Sequence, residues 1–189
     1  MTKLTEKIRN GIDSEQMYGT LDAIAADPSL GRFQFRVSNA WIDGAHNRST
    51  IQRFYGAGRE DDSREQPFVI DAGEPAVLLG TDTGANPAEA LLHALAACLT
   101  TTIVYVAAAR GVRLTKIESS LEGEMDVQGC LGLDEEIRNG FERVHVHFRL
   151  EGDAPEDKLR AVVARACDRS AVYDIVSNPV PVTVDVTAG

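Results

Sequence analysis

Three cysteines, four histidines and one carboxylate beside an apolar run are the groups in this 189-residue sequence that could react or bind. Cys98 sits inside LHALAACLT. A thiol in such a run is either a small buried hydrophobe or, where access and nearby donors lower its pKa, a nucleophile. Cys167 falls on the apolar stripe of a later helical segment. Packing accounts for it, and a crossing of the two helices would also bring it toward Cys98. Cys130, between Gly129 and Gly132, has no pattern around it. Glu89 precedes Cys98 by nine residues. At about 100° per residue the two side chains leave a helix on opposite faces, so a capping role for Glu89 comes first. His145 and His147 form an HxH pair on one strand face, a spacing that suits a metal. Only His46 and His93 offer a third imidazole, and His93, four residues after Glu89, can simply pair with it. The sequence holds no GxSxG, Walker A, dinucleotide glycine fingerprint or HExxH.

Composition narrows the classes of partner. Lys plus Arg total 19 and Asp plus Glu total 29, a formal net charge of −10. Such a chain is a poor match for nucleic-acid backbone. At 43% hydrophobic and 25% charged it has ordinary globular composition. Three widely spaced cysteines do not make a disulfide framework. Met1–Arg9 lacks the apolar core of a signal peptide, so a reducing, cytoplasmic setting is expected. Ala90–Ala109 is 20 residues long without a formal charge, the length a bilayer needs. Its His93, three threonines and many alanines make it a buried central helix rather than a span.

The framework that holds these groups can be read in order. Residues 1–30 are expected to form a polar, helical N-terminal arm, with Leu21, Ile24 and Ala25 on one side and Asp27-Pro28 ending it. Phe33, Phe35, Val37 and Trp41, the Asp43-Gly44 turn and the run 48–55 predict a β-hairpin. The charged stretch 57–67 reads as a solvated loop, and Phe68–Ile70 as a short strand. Asn86 as N-cap, Pro87 at the first helical position and Glu89 three residues after the cap mark a helix start. Arg110 and Gly111 mark its end. This helix is apolar on most sides, which calls for a sheet or a partner chain around it. A strand is expected over 112–126, and another over 141–150 with Val144, Val146, Phe148 and Leu150 facing inward. Leu159, Val162, Val163, Ala166 and Cys167 give an amphipathic helix. Ser170 caps a second, short one, and Val180, Val182, Val184 and Val186 suggest a last strand. Strands in runs, separated by helices, indicate an α+β fold.

Two stretches, GANPAEALLHALAACLTTTIVYVAAARGV (84–112) and GFERVHVHFRLEGDAPEDKLRAVVARACDRSAVYDIVSNPVPVTV (140–184), resemble the OsmC/Ohr superfamily in several spaced motifs in the right order. The similarity extends over roughly 33–186, so 31–189 is read as one OsmC-like domain. The resemblance implies an intertwined homodimer with the two long helices at its centre and strands from both chains around them. It implies reduction of organic hydroperoxides by paired cysteines: one thiolate takes the peroxide oxygen, a second closes a disulfide, and an external dithiol such as dihydrolipoamide reopens it. Carried over by position, Cys98 matches the attacking thiol. Where the second thiol opens a Cys-Pro-Val motif, this sequence reads Ser170-Ala171-Val172. Cys167 is the nearby substitute. The assisting glutamate position falls on Ala88, with Glu89 next to it. The assisting arginine comes from the hairpin, among Arg36, Arg48 and Arg53, with Arg48 favoured because it borders the turn.

Three functions compete on this reading. The first is an OsmC-like stress-protection protein acting as a thiol-dependent organic hydroperoxide reductase, with Cys98, Cys167, Arg48 and Glu89 as its site. The second is a non-catalytic member that binds an apolar ligand or partner at the dimer interface. The third is a metal-binding or hydrolytic activity that uses the HxH pair, His145 and His147. The leading reading needs no cofactor and no metal, and its partners are a second copy of the chain and an apolar small molecule, with neither nucleic acid nor membrane.

Overall fold

The computed structural model describes residues 7–189. Residues 1–6 of the expected arm lie outside this range. The chain divides into two compact units, one spanning 13–91 and one joining 8–12 to 92–189.

The described chain opens with β1 (Ile8–Arg9) and β2 (Ile12–Asp13), not with helix. Asn10 and Gly11 take φ of 52° and 78°. Two left-handed residues in a row turn the chain back on itself. α1 (Ser14–Ala26) follows, with the Asp13 carboxylate accepting from the Glu15 and Gln16 amides. Asp27-Pro28 ends it, as the sequence indicates.

The unit of 13–91 is otherwise built of short antiparallel strands. β3 (Gln34–Phe35), β4 (Ser38–Asp43), β5 (His46–Ile51), β6 (Phe54–Gly56), β7 (Arg59–Asp61) and β8 (Phe68–Ala72) form two three-stranded sheets, ordered β4-β5-β8 and β3-β6-β7. Gly44, with φ 52°, makes the expected turn between β4 and β5. The expected loop at 57–67 is in part a strand. Ala57 and Gly58 are both left-handed, at 49° and 79°, so they close a hairpin and pair Arg59–Asp61 with β6. The charges there are the solvent face of a strand. Phe33, Phe35 and Phe54 pack ring against ring, with centroids 5.7–6.4 Å apart.

In the second unit, α2 (Pro87–Ala109) carries a buried line of Leu95, Leu99, Ile103 and Ala107, spaced by four. Its end is a Schellman motif. Gly111 is left-handed at φ 70°, the Val112 amide donates to Ala107 and the Gly111 amide donates to Ala108. Arg110 reaches across and donates to the Ala161 carbonyl at 3.0 Å. β9 (Leu114–Glu124), the single helical turn α3 (Val127–Cys130) and β10 (Arg143–Gly152) follow. β9 and β10 form a long antiparallel ribbon. Along β10 every second residue turns inward, which places Val144, Val146, Phe148 and Leu150 together as expected. α4 (Glu156–Cys167) then packs over the core of Ile103, Ala107, Val112, Val162 and Ala166. α5 (Ala171–Ser177) ends the regular structure.

The last expected strand does not form. Residues 178–189 have no strand partner among the described residues, and Val182, Val184 and Val186 are about four-fifths exposed. Alternation states a preference, but a strand also needs a neighbour to take its hydrogen bonds. α2 is long and apolar enough to cross a membrane, with a mean hydropathy of 1.8, and 22% of that stretch is buried within the chain.

Candidate functional site

The geometry around Cys98 is set by the start of α5. Ser170 is its N-cap and is buried, with 2% of its surface exposed. Its Oγ accepts from the Tyr173 amide at 3.2 Å. That capping bond occupies the oxygen from one side, and the hydroxyl proton is directed to Cys98 Sγ, 3.1 Å away. One serine thus caps one helix and touches the thiol of another. Burial pushes the Cys98 thiol up, because it disfavours the charged form. Opposing it are the Ser170 hydroxyl, the Val172 amide, the Thr102 hydroxyl and the Ala171 amide. Together they outweigh burial and hold the thiol below its ordinary value. Thr102 also donates to the Cys98 carbonyl at 2.7 Å, so the thiol shares this hydroxyl with the backbone.

Cys167 has no such surroundings. It closes α4 as a free thiol, half-buried. Burial, and then the neighbouring Asp168 charge, push its pKa up. Cys98 is also a free thiol. The two helical segments carrying Cys167 and Ser170 are adjacent in sequence, and it is the serine that meets the sulfur.

The two remaining expected site residues are engaged elsewhere. Glu89 completes the capping box: its Oε2 accepts from the Asn86 amide at 2.9 Å, and Asn86 Oδ1 accepts from the Ala88 amide at 2.7 Å. The Asn86 side-chain amide also donates to Glu74. Arg48 lies opposite Asp71 on paired strands β5 and β8. It binds that carboxylate with two nitrogens, at 2.9 and 3.2 Å. His46 Nε2 stands 2.7 Å from the same carboxylate. Arg48 holds the Asp71 carboxyl below the usual range, with His46 adding to the effect. Of the other two arginines, Arg36 pairs with Glu60 at 2.8 Å, and Arg53 is exposed. His145 and His147 are exposed on one face of β10. Among the described residues no group of three His, Cys, Asp or Glu side chains is placed to hold a metal.

Sequence reasoning does not reveal Thr102 or the α5 amides as partners of Cys98. Ser170 carries two signals, as a cap and as the residue at the second-cysteine position, and the contact with Cys98 joins the two. Asp71 escapes a sequence reading altogether. Its signal is the strand register, which the sequence does not print.

Comparison with known proteins gives the chain its relatives. The family model described as OsmC-like protein matches residues 80–185. No curated protein matches the sequence. Among solved structures, an OsmC-like protein from Mycoplasma pneumoniae is 16% identical with a TM-score of 0.61, covering 77% of this chain and 89% of that one. An OsmC-like protein of unknown function from Vibrio cholerae is 11% identical with a TM-score of 0.55, covering 75% and 92%. An organic hydroperoxide resistance protein from Legionella pneumophila is 15% identical with a TM-score of 0.50, covering 75% and 89%. At these identities the likeness concerns the fold.

Proposed function

We propose that this chain, which belongs to the OsmC-like protein family, reduces organic hydroperoxides with Cys98 as the attacking thiolate. The observation that carries the reading is the set of donors around Cys98 Sγ, headed by the buried Ser170 hydroxyl. A thiolate is the nucleophile in peroxide reduction, and these donors favour it against burial. The sulfur attacks the terminal peroxide oxygen, the O–O bond breaks, and the alkoxide leaves and takes a proton as the alcohol. Cys98 becomes a sulfenic acid. The apolar run of α2 that carries the thiol, Ala94 to Leu99, favours an alkyl or aryl hydroperoxide over hydrogen peroxide.

The same reading includes a homodimer. Leu91 and Tyr105 on α2 are 42% and 47% exposed, and the valines of the C-terminal tail more so. Apolar surface of this extent is cover for a second copy. Sedimentation of the purified chain is expected to give a dimer, and a monomer at micromolar concentration would remove this part. The enzymatic part is tested by loss of cumene hydroperoxide with dithiothreitol as reductant. Wild type should consume it rapidly and Cys98→Ser should not; equal rates would end the proposal.

A second reading, binding of an apolar ligand without chemistry, has one observation in its favour. A groove of about 840 Å³ lies between β10 and α4, with Val146, Phe148, Leu159 and Val163 in its lining. A ligand held equally well by Cys98→Ala, with no peroxide turnover in wild type, would favour it.

A further inference from the structure

We infer that Ser170 is a catalytic hydrogen-bond donor to the Cys98 sulfur, and that the sulfenic acid formed there is resolved by a small external thiol instead of by a second cysteine of the chain. The inference rests on the hydroperoxide reading and concerns how that site completes its cycle.

The serine makes two bonds. An N-cap oxygen must accept from the first turn of its helix, and Ser170 does so from Tyr173. Its single proton is then available on the opposite side, where Cys98 Sγ stands at 3.1 Å. Burial of Ser170 keeps water from competing for that proton. The donor is therefore fixed by local folding before any substrate arrives. It favours the thiolate, as a hydrogen bond to a charged group does, and it remains beside the oxidised sulfur afterwards.

The same contact determines how the cycle closes. A hydroxyl at this distance cannot form a disulfide. Cys167 is the only other thiol on α4 or α5; it is free, Ser170 and not Cys167 touches Cys98 Sγ, and burial and the Asp168 charge beside it disfavour its thiolate. Resolution needs a thiolate to attack the sulfenic sulfur. The steps balance with a thiol from solution. The external thiolate attacks Cys98 sulfur, the S–O bond breaks, and the oxygen departs as water with two protons, one from the sulfenic acid and one from the incoming thiol. A mixed disulfide forms. A second external thiol attacks its own kind in that disulfide, and Cys98 leaves as the thiolate. Overall one hydroperoxide is reduced to alcohol and water, and two thiols are oxidised to one disulfide.

Two measurements test this. In the first, reduced protein freed of small thiols receives one equivalent of cumene hydroperoxide with dimedone present, and the cysteines are peptide-mapped; glutathione then replaces dimedone in a parallel sample. The expected result is a dimedone adduct at Cys98 and, in the parallel sample, a glutathione mixed disulfide at Cys98. A Cys98–Cys167 disulfide formed ahead of either label would overturn the inference while leaving the hydroperoxide reading standing. No oxidation at Cys98 at all would overturn both. In the second, the pH profile of iodoacetamide labelling at Cys98 needs no peroxide. Ser170→Ala is expected to move it to higher pH and slow labelling about tenfold at neutral pH. An unmoved profile in a folded variant would remove Ser170 from the chemistry. Ser170→Cys is expected to close a peroxide-dependent internal disulfide with Cys98 and to suppress the dimedone adduct. Failure of both effects, with the variant folded, would mean that position 170 does not face the reacting sulfur.

Discussion

Cys98 and Cys167 are both half-buried thiols on helices of the same unit, and both feel burial as the largest influence on their acidity. Their pKa values nevertheless move in opposite directions. Cys98 sits in the middle of α2, where its own helix can offer it no free amide, and it borrows donors from the start of α5. Cys167 sits at the end of α4, where carbonyls rather than amides are unpaired, and Asp168 adds a negative charge. Burial alone would make both thiols inert. What separates them is the neighbours each one meets: the Ser170 hydroxyl and the first amides of α5 for Cys98, the Asp168 carboxylate for Cys167.

This contrast can be undone or refined by substitution. The largest effect is expected from Cys98→Ser, which should bring consumption of cumene hydroperoxide down to that of buffer with dithiothreitol, while peptide mapping still finds Cys167 reduced. Next is Val162→Ala on α4. Val162 is fully buried in the core that seats this helix. Losing two methyl groups should cost about 2 kcal/mol, read from chemical denaturation. If α4 serves packing and not catalysis, labelling of Cys98 at neutral pH should be unmoved in the folded variant. Ser170→Ala should cost about 1 kcal/mol through the lost cap, a stability change separable from its effect on the labelling profile. The smallest effect is expected from Asp168→Asn. Removing that charge should shift iodoacetamide labelling of Cys167 toward lower pH by a few tenths of a unit, since a neighbouring carboxylate disfavours the thiolate by about that much when exposed. Cys167 should still label after Cys98 at every pH. A reversal of that order would dissolve the comparison.

Much of this arrangement is legible without the structure, and the reasons differ by feature. The ends of α2 are readable because caps are local: Asn86, Glu89 and Gly111 do their work within a few residues of themselves. The two faces of β10 are readable for the same reason, since alternation is a property of consecutive residues. The α+β class follows from the order of those elements, and the family match agrees with the resemblance drawn from the two motif stretches. Turn-forming pairs are the weak point. Asn10-Gly11 and Ala57-Gly58 each make a hairpin from residues whose neighbours read as arm or loop. Charge and polarity conceal strands that pack on one face only. The valine tail fails in the other direction, because its pattern is clear and no described strand of the chain pairs with it. For the site, the contact between Ser170 and Cys98 joins positions 72 apart. No local rule reaches that far, and only the motif correspondence hints at it. The pairing of Arg48 with Asp71 depends on the register of β5 against β8, and register is fixed by the whole sheet.

The tail has one further property, visible in its prolines. Along an extended segment the amide groups of successive residues point to opposite edges. Pro179 and Pro181 are two apart, so the donors they lack are missing from the same edge. Val180 and Val182 keep theirs on the other. The tail is therefore a one-sided adhesive: its opening residues can join a neighbouring strand along one border and offer an incomplete border to anything beyond. Thr183 and Asp185 keep their amides on the proline edge, so the asymmetry belongs to the opening residues 179–182, which can join a strand along one border while discouraging a further strand on the other.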